Sequence, residues 1–494
     1  MLLNVDHEFG CAPVLKVSGD LATGKATQAI CQQIATLRLA GYDAIALDLT
    51  DATSKGYAGA FTLIETVTRE AKSKVAIFGA PKTLTSKLDS SGLARFLNIH
   101  ADRASALRSV YDPRQTLVRT TAVILAAGNG TRMGPLSNVT PKPLLDVLGK
   151  PVLERLMDHL TKFGISNILL NPGHKADQIP AYFKAHPNGQ YRVSYFPEGH
   201  WRGEDWHATP IGNASTLRRL NREFHALSGD VIVMCGDALT DIDLAAMMSK
   251  HRASGAAATI AAKPVPAELV SRYGIIVAND AGRVTSFQEK PKPSEARSTL
   301  ANTGIYIFKS DVLSLLPNQT ELDIAQDLLP MLMDADHRIS VYQADFEWRD
   351  LGTGKDYFEV LASLLQNDCP FDPVGIKRRD GLWVHKEASV SPKAHLSGPI
   401  YIGAGATIEQ NATIKGPAII GENCLLRSHS LLRHSLLLPD TVAGRGTVLD
   451  EVIACGEWAF KHKQATHKDV ASRWINGLTT RHADHNADVL KRVS

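Results

Sequence analysis

The sequence of 494 residues lacks the features that would point to a membrane, an oxidising compartment or a nucleic-acid partner. No apolar run reaches the length of a membrane span, and the N-terminus has no basic region followed by an apolar one. The six cysteines are scattered without a CxxC pair, which argues against a disulfide framework and against a cysteine zinc site. The net charge is only +3, so neither nucleic acid nor a membrane is an expected partner. We therefore expect a cytoplasmic protein.

The composition that is present, 44% hydrophobic and 21% charged residues, is that of a globular protein. A chain of this length predicts about three domains. Changes in the hydrophobic pattern divide it into a small α/β domain, a larger α/β domain, a repeat region and a C-terminal tail that we expect to be helical. The expected boundaries are 1–112, 117–366, 375–455 and 456–494.

The stretch from Thr121 to Pro151 is the most informative part of the chain. Its apolar start, 122–125, predicts a buried parallel strand, and a loop of small residues, AAGNGT, follows directly. Glycines without a Cβ let several N–H groups converge on one anion, and Arg132 and Lys142 add positive charge. The loop has neither the third glycine of the dinucleotide fingerprint nor the ending of a P-loop. These residues predict a nucleoside-triphosphate site.

A second apolar run, 231–235, ends in Gly236 and Asp237. In open α/β sheets the carboxyl ends of the strands meet at one edge, where ligands bind. A carboxylate delivered to that edge is suited to hold Mg²⁺ against triphosphate oxygens, whereas the alternative is an aspartate that only caps its loop.

Several short motifs in this order resemble the signature of sugar-phosphate nucleotidyltransferases, also called nucleotide-sugar pyrophosphorylases. They are LAAGNGTRM at 125–133, PKP at 141–143, GKP at 149–151, GDALTD at 236–241, FQEKP at 287–291, NTGIY at 302–306 and WRDLGT at 348–353. The resemblance implies a Rossmann-like, doubly wound α/β core that makes an NDP-sugar and pyrophosphate from an NTP and a sugar 1-phosphate. Mannose 1-phosphate and glucose 1-phosphate are the first substrates to expect.

The resemblance also implies roles for individual residues. The catalytic cations would be Arg132, Lys142 and Lys290, and Mg²⁺ would be held by Asp237 and Asp350. The sugar would be bound by Glu289, Asn302 and Gly304. The nucleotide would be bound by Leu125, Ala126, Ala127, Gly128, Gly130, Thr131 and Gly212.

The sequence departs from the family pattern where the family usually has PLGTAG beside the nucleotide base. This chain has PIGNAS at 210–215, so Gly212 keeps its place while Asn213 and Ser215 replace threonine and glycine. We expect the choice of base to depend on this segment. The loop before it contains His200 and His207, which we interpret as solvated residues of a loop covering the substrate.

The first 112 residues resemble STAS domains, the fold of anti-sigma-factor antagonists, in the order of VSGDLATGKA, DLTDATSKGYAG and KLDSSGLARFLNI. The resemblance places the family's contact loop at Thr53, Ser54 and Lys55, without its usual DSSG. A DSSG does occur at 89–92, where we interpret Ser90 and Ser91 as the start of a helix. We favour a docking or dimerisation module over a phosphorylation switch.

From Val384 to Leu438 an aliphatic residue recurs every six positions, which is typical of the hexapeptide repeats of a left-handed parallel β-helix. Such helices also occur in acyltransferases, which leaves open a bifunctional enzyme using His395, His429 or His434. In the tail, 470–475 and 483–493 predict helices, and its histidines, at 462, 467, 482 and 485, predict a polar helix face rather than a metal site.

Two alternatives to a simple enzyme therefore remain, the bifunctional acyltransferase and a non-enzymatic scaffold that responds to nucleotide sugars. Against the scaffold stands the full set of charged residues, because a site that only binds would not need both metal carboxylates. We expect a homo-oligomer, a protein partner for the STAS-like domain, and no cofactor other than Mg²⁺.

Overall fold

The structure of the protein is a computed structural model. It describes residues 2–6, 12–22, 24–39, 44–54, 57–69, 74–110, 117–318, 321–366, 370–463, 473–474 and 477–480. Within these ranges no helix is both long and apolar enough to cross a membrane.

The N-terminal unit is a small sheet with flanking helices. Its elements are β1 (Leu2–Asp6), β2 (Val14–Asp20), α1 (Gly24–Leu39), β3 (Ala44–Asp48), β4 (Ala52–Thr53), α2 (Ala58–Arg69), β5 (Lys74–Phe78), α3 (Lys82–Ser90), β6 (Asn98–Ile99) and α4 (Arg103–Val110). The sheet order is β1-β2-β3-β5-β6, parallel except for β1. β3 is buried along its whole length, as expected of a central parallel strand.

The interpretation of Ser90 and Ser91 as a helix start is wrong. α3 ends at Ser90, and the backbone N–H groups of Ser91 and Gly92 donate to the carbonyls of Lys87 and Asp89, respectively. Both hydroxyls donate back to carbonyls of the last turn, Ser90 to Lys87 and Ser91 to Leu88. Serine can bond either to the free N–H groups that open a helix or to the carbonyls that close it, and the sequence alone does not separate the two.

The second unit carries a mixed sheet. Its elements are β7 (Thr121–Leu125), α5 (Val152–Lys162), β8 (Asn167–Leu170), α6 (Gln178–Ala185), β9 (Arg192–Tyr195), β10 (Gly199–Arg202), β11 (Asp205–Ala208), α7 (Asn213–Arg222), β12 (Asp230–Cys235), β13 (Ala238–Thr240), α8 (Leu244–Ser254), β14 (Ala258–Pro264), β15 (Gly274–Ala278), β16 (Val284–Glu289), β17 (Leu300–Lys309), α9 (Ser310–Leu313), α10 (Leu329–Asp334), β18 (Ile339–Tyr342), β19 (Trp348–Asp350) and α11 (Gly354–Gln366). The order of the main path is β16-β15-β17-β12-β7-β8-β9, and β14 pairs with β17 and β18.

Helices cover both faces of this sheet, as the α/β prediction requires. Ala122 and Ile124 of β7 belong to the apolar core on one face, with residues of α5, α8 and α11, and Val123 belongs to the core on the other, with residues of α7 and α9. β7 lies between β8 and β12 and is parallel to both. The carboxyl ends of these strands therefore open at the same edge.

The third unit is a stack of short strands that are parallel except for the first, which pairs antiparallel with the second. They are β20 (Ile376–Arg379), β21 (Leu382–Val384), β22 (Ser389–Val390), β23 (His395–Ser397), β24 (Ile400–Ile402), β25 (Thr407–Ile408), β26 (Thr413–Lys415), β27 (Ala418–Ile420), β28 (Leu425–Leu426), β29 (Leu431–Arg433), β30 (Leu436–Leu437), β31 (Thr441–Ala443), β32 (Val448–Asp450) and β33 (Val452–Cys455). The parallel ladders are β21-β24-β27-β30-β33, β22-β25-β28-β31 and β23-β26-β29-β32. This arrangement is consistent with the predicted hexapeptide β-helix.

The six-residue repeat runs without a slip only as far as Leu432. Ile402, Ile408, Ile414, Ile420, Leu426 and Leu432 are buried in the interior of the stack. In the next coil Ile420 pairs with Leu437, so Leu437 takes the interior place, and Leu438 packs outside against the second unit. The prediction for Leu438 is wrong because the corner before it, where His434 has a φ of 45°, is one residue shorter.

The described part of the tail is not helical. It forms β34 (Trp458–Lys461), β35 (Arg473–Trp474) and β36 (Leu478–Thr480), which extend two ladders of the stack in antiparallel pairing. Segment 483–493 lies outside the described residues. The helical prediction fails because pairing with the open end of the stack satisfies backbone groups that a helix would have satisfied internally.

His462 also differs from its prediction as part of a polar helix face. It is buried, its ring stacks on Phe358 with centroids 4.0 Å apart, and its Nε2 donates to the carbonyl of His434 at 3.0 Å. Burial lowers the pKa of this histidine. His462 is thus part of the packing between the stack and α11. Positions 467, 482 and 485 lie outside the described residues.

The stack and the second unit share one apolar core. Tyr401, Ile419 and Leu438 on the outside of the stack pack in the same cluster as Tyr357 and Leu361 of α11. The hydroxyl of Tyr357 donates to the carbonyl of Asp146 at 2.5 Å.

Candidate active site

The loop that follows β7 lies at the carboxyl edge of the sheet. The backbone N–H of Ala126 donates to the side-chain oxygen of Asn171, which follows β8, at 2.7 Å. A Cβ on Gly173 would come within 2.4 Å of the carbonyl oxygen of Ala127, so the two loops touch through their backbones. Gly130 has a φ of 60°, a conformation that favours glycine. The Gly-rich loop is therefore held in place by the neighbouring strand end.

A cavity of about 420 Å³ opens beside this loop. Many of the predicted residues line it, namely Leu125, Ala126, Ala127, Gly128, Gly130, Thr131, Arg132, Lys142, Gly212 and Asp237. The sequence motifs on β7, on β12 and before α7 thus meet at one place.

Lys142 is the buried cation of the cavity. Its side chain is only 8% exposed, and its Nζ lies 2.6 Å from an Oδ atom of Asp237 and 3.7 Å from one of Asp350. Asp237 directly follows β12, and Asp350 ends β19. β13 and β19 pair antiparallel with Ala238 opposite Asp350, and this pairing brings the two carboxylates together from distant parts of the chain.

The environment of Asp350 disfavours its negative charge. Burial raises the pKa of this carboxyl and the charge of Asp237 acts in the same direction, while Lys142 and Arg132 act against them. Two carboxylates that converge in this way need a cation between them.

The carboxylate pair fits a magnesium ion. Its oxygens converge on a point that already attracts a cation, the Nζ of Lys142, and Mg²⁺ prefers such oxygen ligands. In the described ranges no group of three or more His, Cys, Asp or Glu side chains is arranged to hold a metal. That is compatible with Mg²⁺, which usually binds one or two carboxylates and takes its remaining ligands from water and substrate phosphates.

The predicted sugar contacts Glu289, Asn302 and Gly304, and the predicted cation Lys290, are not among the residues that line the cavity. Glu289 and Lys290 contact each other at the end of β16, and the Lys290 side chain is 54% exposed. The side chain of Asn302 donates to the Tyr306 hydroxyl at 2.8 Å and accepts from the N–H of Gly304 at 3.1 Å. Gly304 is close to the cavity, because a Cβ there would meet the Sγ of Cys235, a lining residue, at 2.7 Å.

Several lining residues received no role from the sequence, namely Pro143, Asn171, Glu198, Cys235, Asp323 and Gly352. Two others, Pro210 and Asn213, belong to the segment 210–215 on which we expect the choice of base to depend. Asn171 directly follows the apolar run 168–170, so its position at a strand end is a signal that could have found it. For Cys235, burial raises the pKa of the thiol, with the charge of Asp237 acting in the same direction, which describes an unreactive cysteine in the cavity wall.

Glu198 is the unexpected carboxylate of the cavity. It is 3% exposed and accepts hydrogen bonds from the Asn171 amide at 2.9 Å, from the Ile211 N–H at 3.0 Å and from the Thr216 hydroxyl. Because Asn171 also accepts from Ala126, one chain of hydrogen bonds connects the Gly-rich loop with the segment before α7. Burial of Glu198 arises from these partners, which its sequence neighbourhood does not reveal.

The hairpin β10–β11 stands next to Glu198. Cross-strand pairs join Trp201 to Trp206 and His200 to His207, and the indole N–H of Trp206 donates to the Gly173 carbonyl at 2.7 Å. Both histidines are exposed, in agreement with their interpretation as solvated residues.

The candidate acyltransferase histidines lie at separate places on the stack. His395 is exposed at the start of β23, while His429 and His434 occupy corners with positive φ. None of them is among the residues that line the 420 Å³ cavity.

Comparison with known proteins identifies two regions of the chain. The family model described as nucleotidyl transferase matches residues 121–367, and the model described as bacterial transferase hexapeptide (six repeats) matches residues 399–434. The chain is 36% identical to a UTP–glucose-1-phosphate uridylyltransferase from Synechocystis sp. over 367 residues, which covers 73% of this chain and 94% of that protein.

Two further relatives are named for other nucleotides. A mannose-1-phosphate guanylyltransferase from Mycobacterium tuberculosis is 30% identical, with coverage of 58% of this chain and 76% of that protein. A glucose-1-phosphate adenylyltransferase from Lachnospira eligens is 28% identical, with coverage of 49% and 59%. Across the three names the nucleotidyl group changes, whereas a hexose 1-phosphate is common to all.

Proposed function

The chain belongs to the nucleotidyl transferase family, and from that premise we propose how its cavity joins an NTP to a sugar 1-phosphate. It is an NDP-sugar-forming enzyme that releases pyrophosphate. The observation that carries the assignment of the site is the position of Lys142, whose Nζ lies between Asp237 and Asp350 at the edge of the Gly-rich loop.

In the proposed reaction an oxygen of the sugar 1-phosphate attacks the α-phosphorus of the NTP in line, and pyrophosphate leaves. The nucleophile is already an anion at neutral pH, so neither a general base nor a covalent intermediate is needed. Catalysis then consists of aligning two anions and neutralising their charge.

The cations of the chain divide this work. The backbone N–H groups of the Gly-rich loop bind the triphosphate, and Arg132, which lines the cavity, stabilises the departing pyrophosphate. Lys142 neutralises charge on the phosphates from its buried position. Lys290, whose exposed side chain contacts Glu289, holds the incoming sugar phosphate.

Asp237 and Asp350 are the residues that would hold Mg²⁺. When bound, the ion supplies positive charge to the triphosphate and sugar phosphate oxygens. The carboxylates themselves hold the Lys142 ammonium group in place and direct it toward the phosphates.

Glu289, Asn302 and Gly304 are the proposed sugar contacts. The closeness of Gly304 to Cys235 supports a sugar position next to the phosphate side of the cavity. The common hexose 1-phosphate in the names of the relatives supports glucose 1-phosphate or mannose 1-phosphate as the acceptor.

The other units complete the proposal. The N-terminal unit is a STAS-like docking module, supported by its predominantly parallel sheet with flanking helices, and it binds a protein partner or a second copy of the chain in a homo-oligomer. The C-terminal stack is a left-handed β-helix, supported by its six-residue period.

The test is pyrophosphate release with Mg²⁺ across a grid of the four common NTPs and several sugar 1-phosphates. We expect turnover with at least one NTP combined with glucose 1-phosphate or mannose 1-phosphate. No turnover across the grid would favour the scaffold, and transfer of an acetyl group from acetyl-CoA would favour the bifunctional enzyme.

A further inference from the structure

Residues 210–215, which we call the base loop, lie directly against residues 321–324, which we call the 321–324 segment. A Cβ on Gly212, whose φ is 88°, would come within 2.4 Å of the carbonyl oxygen of Leu322. The N–H of Glu321 donates to the Ile211 carbonyl at 2.6 Å, and the N–H of Ala214 donates to the Leu322 carbonyl at 3.0 Å. The contact between the two stretches is therefore made first by backbone.

Two side chains of the base loop complete this contact. Asn213 uses both ends of its amide: Nδ2 donates to Asp323 at 2.7 Å, and Oδ1 accepts from the N–H of Ile324 at 2.6 Å. Ser215, which is fully buried, accepts from the N–H of Leu322 at 3.1 Å. Asn213 and Ser215 are the two positions at which the sequence departs from the usual loop.

Both carboxylate oxygens of Asp323 accept hydrogen bonds from the chain itself. One oxygen accepts from Asn213, and the other accepts from the N–H groups of Ala325 and Gln326 at 2.7 and 3.0 Å. Asn213 and Asp323 both line the cavity, so a shift of either side chain changes the wall that faces the substrate. We call Asn213, Ser215 and Asp323 the clamp.

We propose that the clamp is a positioning device that fixes the base loop against the 321–324 segment and so determines which NTP the cavity accepts. This inference rests on the proposed function of the cavity as the NTP site. A glycine at 215 would have no side chain to accept from Leu322. A threonine at 213 would have one side-chain oxygen, which cannot replace both ends of the Asn213 amide.

The reciprocal exchange of the amide and the carboxylate tests the proposal. Asn213→Asp replaces the amide that donates to Asp323 with a second carboxylate, and like charges at this distance repel. In the double variant N213D/D323N, the new asparagine donates to the new aspartate. The aspartate still accepts from Ile324, and the asparagine oxygen still accepts from Ala325 and Gln326. Every bond and the net charge are then restored with the two groups exchanged.

We expect Asn213→Asp to raise KM for the preferred NTP by about tenfold, equivalent to about 1.4 kcal/mol. The ratio of kcat/KM among the NTPs should change, while kcat and KM for the sugar 1-phosphate stay within about twofold of wild type, since the clamp touches neither the attacking phosphate nor the cations. The double variant should recover most of the KM. Asn279→Asp is the matched control, because its side-chain oxygen accepts from the N–H of Arg283 in an exposed turn and a carboxylate makes the same bond.

An unchanged KM and NTP preference in Asn213→Asp would overturn the clamp. So would failure of the double variant to recover while its thermal unfolding midpoint is that of wild type, because Asp323 would then contact the substrate through its own charge. If Asn213→Asp does not fold, Ser215→Gly removes the third bond, and the same shift in NTP preference is required of it. Wild-type enzyme that is inactive in the substrate grid would instead refute the proposed function, a result that is independent of the variants.

Discussion

The two sides of the cavity are built in different ways. On the proposed phosphate side, the Gly-rich loop and the two aspartates lie at the ends of strands, and the ammonium group of Lys142, which begins a short 3-10 turn, lies within 3.7 Å of both carboxylates. On the side that we propose faces the nucleoside, called the nucleoside side, Glu198 and the base loop are joined to their surroundings by hydrogen bonds of amides, hydroxyls and backbone groups. One side concentrates charge, and the other fixes shape.

The difference matches what each side has to do in the proposed reaction. Charge that develops on phosphate oxygens is best stabilised by charges already in place, and a sheet edge supplies fixed positions for them. Discrimination among bases depends on positions of the wall to within fractions of an ångström, which a network of short hydrogen bonds can maintain. Mutations on the two sides should therefore change different kinetic parameters of the enzyme.

The largest effect is expected from Lys142→Ala. Loss of the cation between Asp237 and Asp350 should lower kcat by roughly 100- to 1,000-fold, the usual range for removal of one preorganised group that stabilises transition-state charge. KM for the NTP should change far less. Steady-state pyrophosphate release checks both parameters.

The control for this prediction is Lys184→Ala, which removes an exposed lysine of α6 and should leave kcat unchanged. The thermal unfolding midpoint of Lys142→Ala shows whether the variant is folded. A kcat within about threefold of wild type in the folded variant would contradict the assignment of Lys142.

The next largest effect is the pH dependence of stability that arises from the buried, uncharged His159. His159 of α5 is 5% exposed, and its Nε2 donates to the Ile242 carbonyl at 2.8 Å, close to the β13 segment that follows Asp237. Burial lowers the pKa of His159 to about 4. In the unfolded chain this histidine takes up a proton below about pH 6.5, but in the folded protein only below about pH 4. The free energy of unfolding should therefore fall by roughly 3 kcal/mol as the pH drops from 6.5 to 4.

Urea unfolding at several pH values measures this dependence. His159→Gln keeps an N–H that can donate to Ile242 but cannot titrate, so its pH profile should be flatter than that of wild type across the same window. Parallel profiles for the two proteins would show that His159 is not the source of the dependence.

The smallest effect is expected from Glu198→Gln on the nucleoside side. The amide presents a donor at one of the two oxygen positions that now accept from Asn171, Thr216 and Ile211, so one buried partner loses its acceptor. Loss of stability by about 1–3 kcal/mol and an increase in KM for the NTP should follow, without a large change in kcat. Glu457→Gln, in the exposed turn between β33 and β34, is the control. A drop in kcat alone would show that the two sides are not separable.

The sequence was a better guide to the phosphate side than to the nucleoside side, for a physical reason. Lys142, Asp237 and Asp350 all belong to short motifs, and the two aspartates lie at strand ends, where local sequence already determines both the turn and the direction of the side chain. Glu198 lies in a stretch with no motif, and its burial depends on Asn171, Thr216 and Ile211, none of which is a close neighbour in sequence.

The errors outside the site have the same origin. The repeat predicts Ile402 to Leu432 correctly because each coil contacts a similar neighbour, whereas Leu437 replaces Leu438 where one corner shortens. The tail was predicted as helix from its local pattern, but the open end of the stack offered partners for strands. Local pattern determines an element only when its neighbours in space are also predictable.

The apolar core shared by the second unit and the stack has a consequence for engineering. Because Tyr401, Ile419 and Leu438 pack with Tyr357 and Leu361, the outer face of the repeat is as much a part of the enzyme as its own helices. The hydrophobic pattern of the sequence changes near residue 370, but the apolar core continues across that boundary. A chimera that imports a foreign hexapeptide repeat will have to import a complementary α11 with it.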